Sequence, residues 1–401
     1  MAAANTHASY GSVAKSFHWL TALLILSLIP MGWIANEMPY DTAEQLAQKA
    51  FLFSMHKTFG VLVFFVALAR IVWAIVQPKP GALNADAKLE HWAAETVHYL
   101  LYGSLVLVPL TGWIHHAATT GFAPIQWPFG QSLPLVPKSE TVADVFAGLH
   151  IVFIRVMILS MLLHILGAFK HLIIDRDQTL QRMWFGKNRA PSPGAHTSQA
   201  APIVSALSAW VVALGIGAGT GIYANHSGAP VKAEELVAVA SDWVVQDGSI
   251  NIETQQFGNK VNGTFADWTA AIQFDPDVVQ GKAGEVDVTI SIPSLTLGSV
   301  TEQALGADYF DAEAHATAVY KADIVTIPDG YAAQGDLTLR GVSLPVEFPF
   351  DLRVDEDGTA TMNGTLTLNR MDYSIGQNMA DESSLGFSVA VILRVVARQA
   401  E

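Results

Sequence analysis

Apolar positions along the chain fall into two regimes. Up to about residue 223 they come in long unbroken runs, and beyond Ser241 they alternate with polar positions. Five runs approach or exceed the roughly 20 residues that cross a bilayer as a helix. They are Phe17–Ala35, Phe51–Val76, His91–Thr111, Val142–Ile174 and Pro202–Tyr223, so five transmembrane helices are predicted. In the second regime Val286–Ile292, Ala314–Tyr320, Leu337–Arg340 and Phe387–Val395 show period two, with turn signals at Asp329-Gly330 and Asp357-Gly358. Seven or more short strands in about 160 residues predict an antiparallel barrel or sandwich. Between the regimes Gly186–Ala201 is rich in Pro, Gly, Ser and Ala and reads as a linker.

The charge distribution supports a division near residue 200. Residues 1–200 hold 13 Lys+Arg against 10 Asp+Glu, and residues 201–401 hold 9 against 26. The acidic second half argues against nucleic-acid binding. The chain has no cysteine, which excludes disulfides, iron–sulfur clusters and covalent c-type haem. The first apolar run is too long for a cleavable signal and leads straight into another. The fifth run, small-residue rich, reads as a packed span, with an internal cleaved signal as the weaker alternative.

Loop charges set the expected orientation. Lys15, Arg70, Lys79 and Lys88 lie at the N-terminus and between the second and third runs; Arg176, Arg182, Lys187 and Arg189 follow the fourth. The loop after the first run holds Glu37, Asp41 and Glu44 against Lys49. Positive charge on the inside puts the N-terminus in the cytoplasm and the barrel in the periplasm. Trp19, Trp33, Trp113 and Trp127 fall near span ends, as an aromatic belt does.

Ten of the 13 histidines precede residue 175. An ionisable side chain inside a span is costly, so His18, His56, His98, His150, His164 and His171 are each functional candidates. For any one alone, an ordinary hydrogen bond across helices is an equal reading. Spacing separates the two readings. His150 and His164 are 14 residues apart, which puts them on nearly one helix face about 21 Å apart. By depth, His164 partners His18 near the cytoplasmic side, and His56 partners His150 near the periplasmic side. Each pair offers two axial imidazoles to one haem iron, as cofactor-bearing four-helix bundles do. Zinc is disfavoured because neither level has an evident third ligand. Gly60, one turn after His56, leaves room for a flat macrocycle or for helix packing. Arg70 is placed to meet haem propionates or to anchor the span at the inner face. Pro109 and Gly112 are expected to bend the third span. Arg155, charged within the fourth span without an acidic partner in sequence, is the candidate for contacting a propionate or an anionic or quinone substrate.

Phe17-His18-Trp19, Met55-His56 with Gly60 and Arg70, His98 with Pro109 and Gly112, and the run from His150 through Leu163-His164 and His171 to Asp175–Met183 resemble the bacterial cytochrome b561 family over about residues 10–185. Arg155 lies outside these motifs. The resemblance implies a four-helix core with two b haems on His18, His56, His150 and His164, and electron transfer between the periplasm and membrane quinone. One relative is a superoxide:quinone oxidoreductase, and others are haem subunits of hydrogenases. Gly263–Trp268 with Ile272–Pro276, Asp308–Ala312, Gly335–Phe350, Asn369–Gly376 and Phe387–Ala397 resemble the YceI family over about residues 240–400. That implies an eight-stranded lipocalin-like barrel around a long isoprenoid chain. The residues alone do not show that the interior is open, and a filled core is the less favoured alternative. His226 and His315 have no evident partner, and Asp372 and Tyr373 read as fold residues.

The expected protein is therefore multidomain. Residues 10–185 form an α-helical transmembrane di-haem bundle, 186–201 a linker, 202–223 a fifth span, and 235–401 an all-β antiparallel lipocalin-like barrel. It is expected in the bacterial inner membrane, passing electrons between a periplasmic donor, superoxide among the candidates, and quinone. The expected cofactors are two bis-His b haems and ubiquinone or another isoprenoid lipid. Two other readings are a membrane-anchored lipid carrier and a haem subunit of a larger dehydrogenase or hydrogenase. Paired histidines in the spans speak against a mere anchor.

Overall fold

The structure is a computed structural model describing residues 2–81, 83, 86–119, 123–186, 198–223, 236, 241–298 and 300–400. Most of the expected linker (187–197), the expected start of the barrel domain at 235, Lys187, Arg189 and His226 lie outside the described residues. The chain falls into two compact units, one built on helices and one on a sheet.

In the helical unit, α1 (Ser12–Glu37), α2 (Ala43–Val76), α3 (Lys88–Ala118) and α4 (Glu140–Lys170) are followed by short α5 (Thr179–Met183) and by α6 (Ala200–Gly219). The helices α1, α2, α3 and α6, and α4 with its continuation to Asp175, are long and apolar enough to cross a membrane. Each of α1 to α4 starts before its apolar run. The helix α2 begins at Ala43 rather than Phe51, because Ala, Glu, Gln and Leu there favour helix whatever their polarity. Outward side chains such as Leu23, Ile75, Leu166 and Val211 are exposed and apolar, as lipid contact requires. Inward, Ala67 and Ser104 are fully buried small residues that let helices approach closely. The helix α6 packs on this bundle: Trp210 meets Phe153 edge to face at 5.0 Å and lies over Gly103, where a Cβ would sit 3.3 Å from the indole nitrogen.

Ser139 caps α4 by accepting from the Val142 amide. At its other end α4 runs into a π-helical turn, His171–Asp175, stopped by Arg176 in the left-handed conformation at φ 52°. The chain then folds back on α1. Lys15 donates to the Trp184 carbonyl, Trp19 to the Met183 carbonyl and Arg182 to the Gly81 carbonyl, each at 2.8–2.9 Å. This explains the Asp175–Met183 motif as a cap over one end of the bundle. Trp113 departs from the expected aromatic belt. It is buried with Val61 and Ile125, whereas Trp33 is 70% exposed.

The sheet unit comprises β1 (Trp243–Gln256), β2 (Asn259–Phe265), β3 (Trp268–Phe274), β4 (Lys282–Ser291), β5 (Leu295–Thr296), α7 (Thr301–Leu305), β6 (Thr317–Ile327), β7 (Gly330–Leu339), β8 (Val342–Val354), β9 (Thr359–Asn369) and β10 (Ser388–Gln399). All pairs are antiparallel, in the order β3-β4-β6-β7-β8-β9-β10-β1-β2-β5. Only Ala266 and Asp267 separate β2 from β3, and only the 3₁₀ turn Ile292–Ser294 separates β4 from β5. Each pair is one bent strand. Since β3 pairs with β4 while β2 pairs with both β1 and β5, the ladder closes into an eight-stranded barrel. Asp329-Gly330 and Asp357-Gly358 are hairpin turns, with both glycines at positive φ (135° and 79°). The strand expected at Ala314 begins only at Thr317. Asp311 is left-handed (φ 50°) and its carbonyl accepts from the Ala314 and His315 amides, which holds that stretch in a turn.

Candidate functional site

The bundle holds two of the sequence-predicted histidines in one local arrangement. The His56 ring on α2 places Nδ1 3.1 Å from the Leu28 carbonyl of α1, and a Cβ on Gly32, one turn further, would come 2.7 Å from the ring. The His150 ring on α4 places Nδ1 2.8 Å from the Val108 carbonyl of α3, and a Cβ on Gly112, again one turn further, would come 3.0 Å from it. A carbonyl accepts only, so Nδ1 carries the proton in both rings and Nε2 keeps its lone pair. That is the tautomer in which an imidazole serves as a metal ligand with its other nitrogen fixed by a backbone oxygen. Gly112 thus has a more specific place than the expected bend: it seats a ring. The sequence reading missed Gly32 altogether. The available signal was a glycine inside an apolar helix, which costs about 1 kcal/mol and asks for a packing reason.

Around His164 the structure gathers three rings. His18 on α1 stands 6.1 Å from it between centroids and His98 on α3 stands 5.1 Å away. Arg70 of α2 brings its guanidinium to 3.5 Å from His18 Nδ1 and lies over the Tyr102 ring at 5.3 Å. A Cβ at Gly60 or at Gly167 would meet nothing within 4 Å, so both glycines border open space. His171 belongs to a different group. Its Nδ1 lies 2.8 Å from Asp177 and 3.0 Å from Asp175, and Lys170 pairs with both Glu90 and Asp175. The lysine supplies the positive charge this acidic cluster needs. Arg155 is exposed on α4 and stands outside the rings described above.

The barrel encloses an apolar cavity of about 290 Å³. Every second residue of the strands lines it, among them Ile250 and Ile252 of β1, Val391 and Leu393 of β10, and Leu366 and Leu368 of β9. The inward rows turn polar at one end, where β9 leads into Arg370 and β1 ends on Thr254 and Gln256. Arg370 is buried and donates to the carbonyls of Gly386, Ile375, Gly376, Met379 and Leu385. All its donors point at the fold. Burial raises the Tyr309, Tyr320 and Tyr373 hydroxyls above their ordinary range, so they contribute no charge to the lining. Tyr373, expected as a fold residue, is buried in the core with Ile375 and Met379 and also lines the cavity. The cavity answers the choice between a filled and an open barrel.

These features define a membrane-spanning helical bundle with buried, oriented imidazoles, joined in one chain to a hollow apolar barrel. The family model described as prokaryotic cytochrome b561 matches residues 9–186, and that of the YceI-like domain matches residues 243–397. Each match covers less than half of the chain, and in order along it they mark a region similar to cytochrome b561 and then a region similar to the YceI-like domain. Cytochrome b561 homolog 2 of Escherichia coli (strain K12) is 28% identical over 185 residues, 46% of this chain and 95% of that protein. The probable superoxide oxidase CybB of Yersinia pestis is 22% identical over 178 residues, 44% and 96% respectively. Among solved structures, Burkholderia cenocepacia BcnA is 25% identical, covering 37% of this chain and 95% of its own with a TM-score of 0.35. A polyisoprenoid binding domain from Saccharophagus degradans is 12% identical, covering 39% and 97% with a TM-score of 0.31.

Proposed function

We propose that the protein is a di-haem b cytochrome of the bacterial inner membrane that passes single electrons between a periplasmic donor and membrane quinone, while its barrel holds an isoprenoid lipid. One observation carries this reading: His56 and His150 repeat the same carbonyl-and-glycine setting, which presents Nε2 of each as a ligand. These two would hold one haem, and His18 with His164 would hold the other. The 6.1 Å between the His18 and His164 ring centroids would leave room for a metal between the two imidazoles. Gly60 and Gly167 border the open space a flat group needs, and Arg70 offers a cation to a propionate. Haem b held there supplies one-electron redox chemistry.

The chain's own residues do the rest. Leu28 and Val108 carbonyls fix the proton on Nδ1, and Gly32 and Gly112 let the rings come close to the neighbouring helices. With both imidazoles of a pair engaged, these histidines would leave no ligand position for substrate, which favours electron transfer at the edges of the bundle. Arg155, exposed within its span, receives the anionic or quinone substrate from outside. Superoxide is the donor that the similarity to the Yersinia pestis oxidase favours. The positive-inside rule puts the N-terminus in the cytoplasm and the barrel in the periplasm. Acid extraction and haem quantitation of the purified chain test the reading. We expect two non-covalent b haems per chain and one in His150→Ala; a single haem in the unaltered protein overturns it.

A further inference from the structure

The inward row of β1 reads Ile250, Ile252, Thr254, Gln256. The first two match the rest of the cavity wall, and the last two do not. Thr254 is 9% exposed and Gln256 5%, and both line the cavity. The Thr254 hydroxyl oxygen and the Gln256 side-chain carbonyl oxygen are buried without a hydrogen-bond partner. A buried acceptor left unpaired costs about 1–3 kcal/mol, and a barrel core is easily built without one. Valine and leucine at these positions would continue the rows of Val389 and Val391 beside them. Two such groups, adjacent on one strand and facing one cavity, ask for a ligand that supplies what they lack.

The same end of the cavity limits what that ligand can be. Arg370 is the cation lining it, and its donors are all engaged by backbone carbonyls. The neighbouring Tyr309 hydroxyl is occupied as an acceptor from Gln303 at 3.0 Å. No cationic side chain has a donor left free toward the cavity among the described residues, so a phosphate or carboxylate would be buried without a charge-assisted hydrogen bond. A carbonyl head can accept from Thr254 but leaves the Gln256 oxygen unpaired. A hydroxyl both accepts from Thr254 and donates to Gln256.

We propose that Thr254 and Gln256 form the head-group subsite of the barrel, and that it selects a neutral isoprenoid bearing a hydroxyl over phosphorylated or donor-free forms of the same chain. The inference rests on the reading of the barrel as an isoprenoid holder. It adds the chemistry of the head and its direction, with the tail running away from Gln256 along the Ile250 and Val391 rows.

The test uses one tail with three heads: geranylgeraniol, its methyl ether and its diphosphate. Each displaces tritiated geranylgeraniol from the full chain in detergent. We expect the alcohol to bind about tenfold more tightly than the ether, the size of one lost buried hydrogen bond, and the diphosphate to compete least. In Thr254→Val/Gln256→Leu the alcohol and ether should bind equally, and the barrel should unfold at the same or a higher temperature, because two unpaired polar atoms are gone. A structural role for the pair predicts the reverse, a lower unfolding temperature with head-group preference retained. Equal binding of all three heads to the unaltered chain overturns the subsite and leaves the isoprenoid cavity standing. If no isoprenoid binds at all, both fail. Tighter binding of the diphosphate overturns the neutral-head rule.

Discussion

The bundle and the barrel leave different kinds of buried polar group with a bond still to make. In the bundle, His56 and His150 each have one nitrogen fixed by a neighbouring carbonyl and the other left available. In the barrel, Arg370 has every donor engaged while Thr254 and Gln256 have oxygens with none. Fully satisfied groups fix a fold, because removing their partner leaves a buried charge or dipole exposed to a low dielectric. Half-satisfied ones point to chemistry, because they are oriented and still have a bond to make. The same rule thus separates scaffold from site in two unrelated architectures.

The sharpest way to break the comparison is to fill a ring seat. Gly112→Leu should displace His150 and remove one haem of the two, as His150→Ala does, without a change to either histidine pair's sequence. Haem quantitation and the reduced-minus-oxidised spectrum check it, and a full complement of haem in Gly112→Leu breaks the link between seat and ligand. Next in size, Arg370→Met orphans five carbonyl acceptors. It should lower barrel stability by about 3 kcal/mol, seen as an earlier unfolding transition with the haem spectrum unchanged. A stability equal to that of the unaltered chain would show that those carbonyls find other donors. The smallest effect is expected at Arg155. Arg155→Leu should keep both haems and slow quinone reduction severalfold, measured by stopped flow. Identical turnover with every donor and quinone tried removes Arg155 from the path.

Much of the fold was legible in the sequence, for a physical reason that differs between the halves. Five apolar runs of membrane length leave the chain few alternatives, since every backbone polar group in lipid must be satisfied within the segment. Only the helix ends were missed: the alanine and glutamine before Phe51 favour helix but carry no apolar pattern. Period-two alternation located β4, β7 and β10, whereas Ala314–His315 alternate correctly yet are held in the turn set by Asp311. Helix arithmetic placed His18 and His164 at one level, and their ring centroids lie 6.1 Å apart. The nearness of His98 to His164 did not follow, because α3 brings it there from a run whose rotation the sequence does not set. Gly32 carried only the general signal of a glycine inside an apolar helix, which does not name its partner. Its role lies across a helix interface, in a ring belonging to α2. The unpaired oxygens of Thr254 and Gln256 depend on what every other strand fails to offer, and no local pattern records that.

Barrel closure has a consequence for how the protein is made. Trp243 pairs with Gln399 and Glu253 with Ala390, so the first strand of the barrel waits for the last. At about 5–20 residues per second, the chain between them takes roughly ten to thirty seconds to emerge from the ribosome. For all that time the inward rows of β1, β2 and their followers have no closed wall to line, and their ladder edges stay unpaired. Native contacts between residues so far apart in sequence form slowly and cannot nucleate folding while the chain is incomplete. The domain is thus obliged to fold after synthesis, and a chain that stops short of β10 leaves a curled sheet with two open edges, the form most prone to join a second copy of itself.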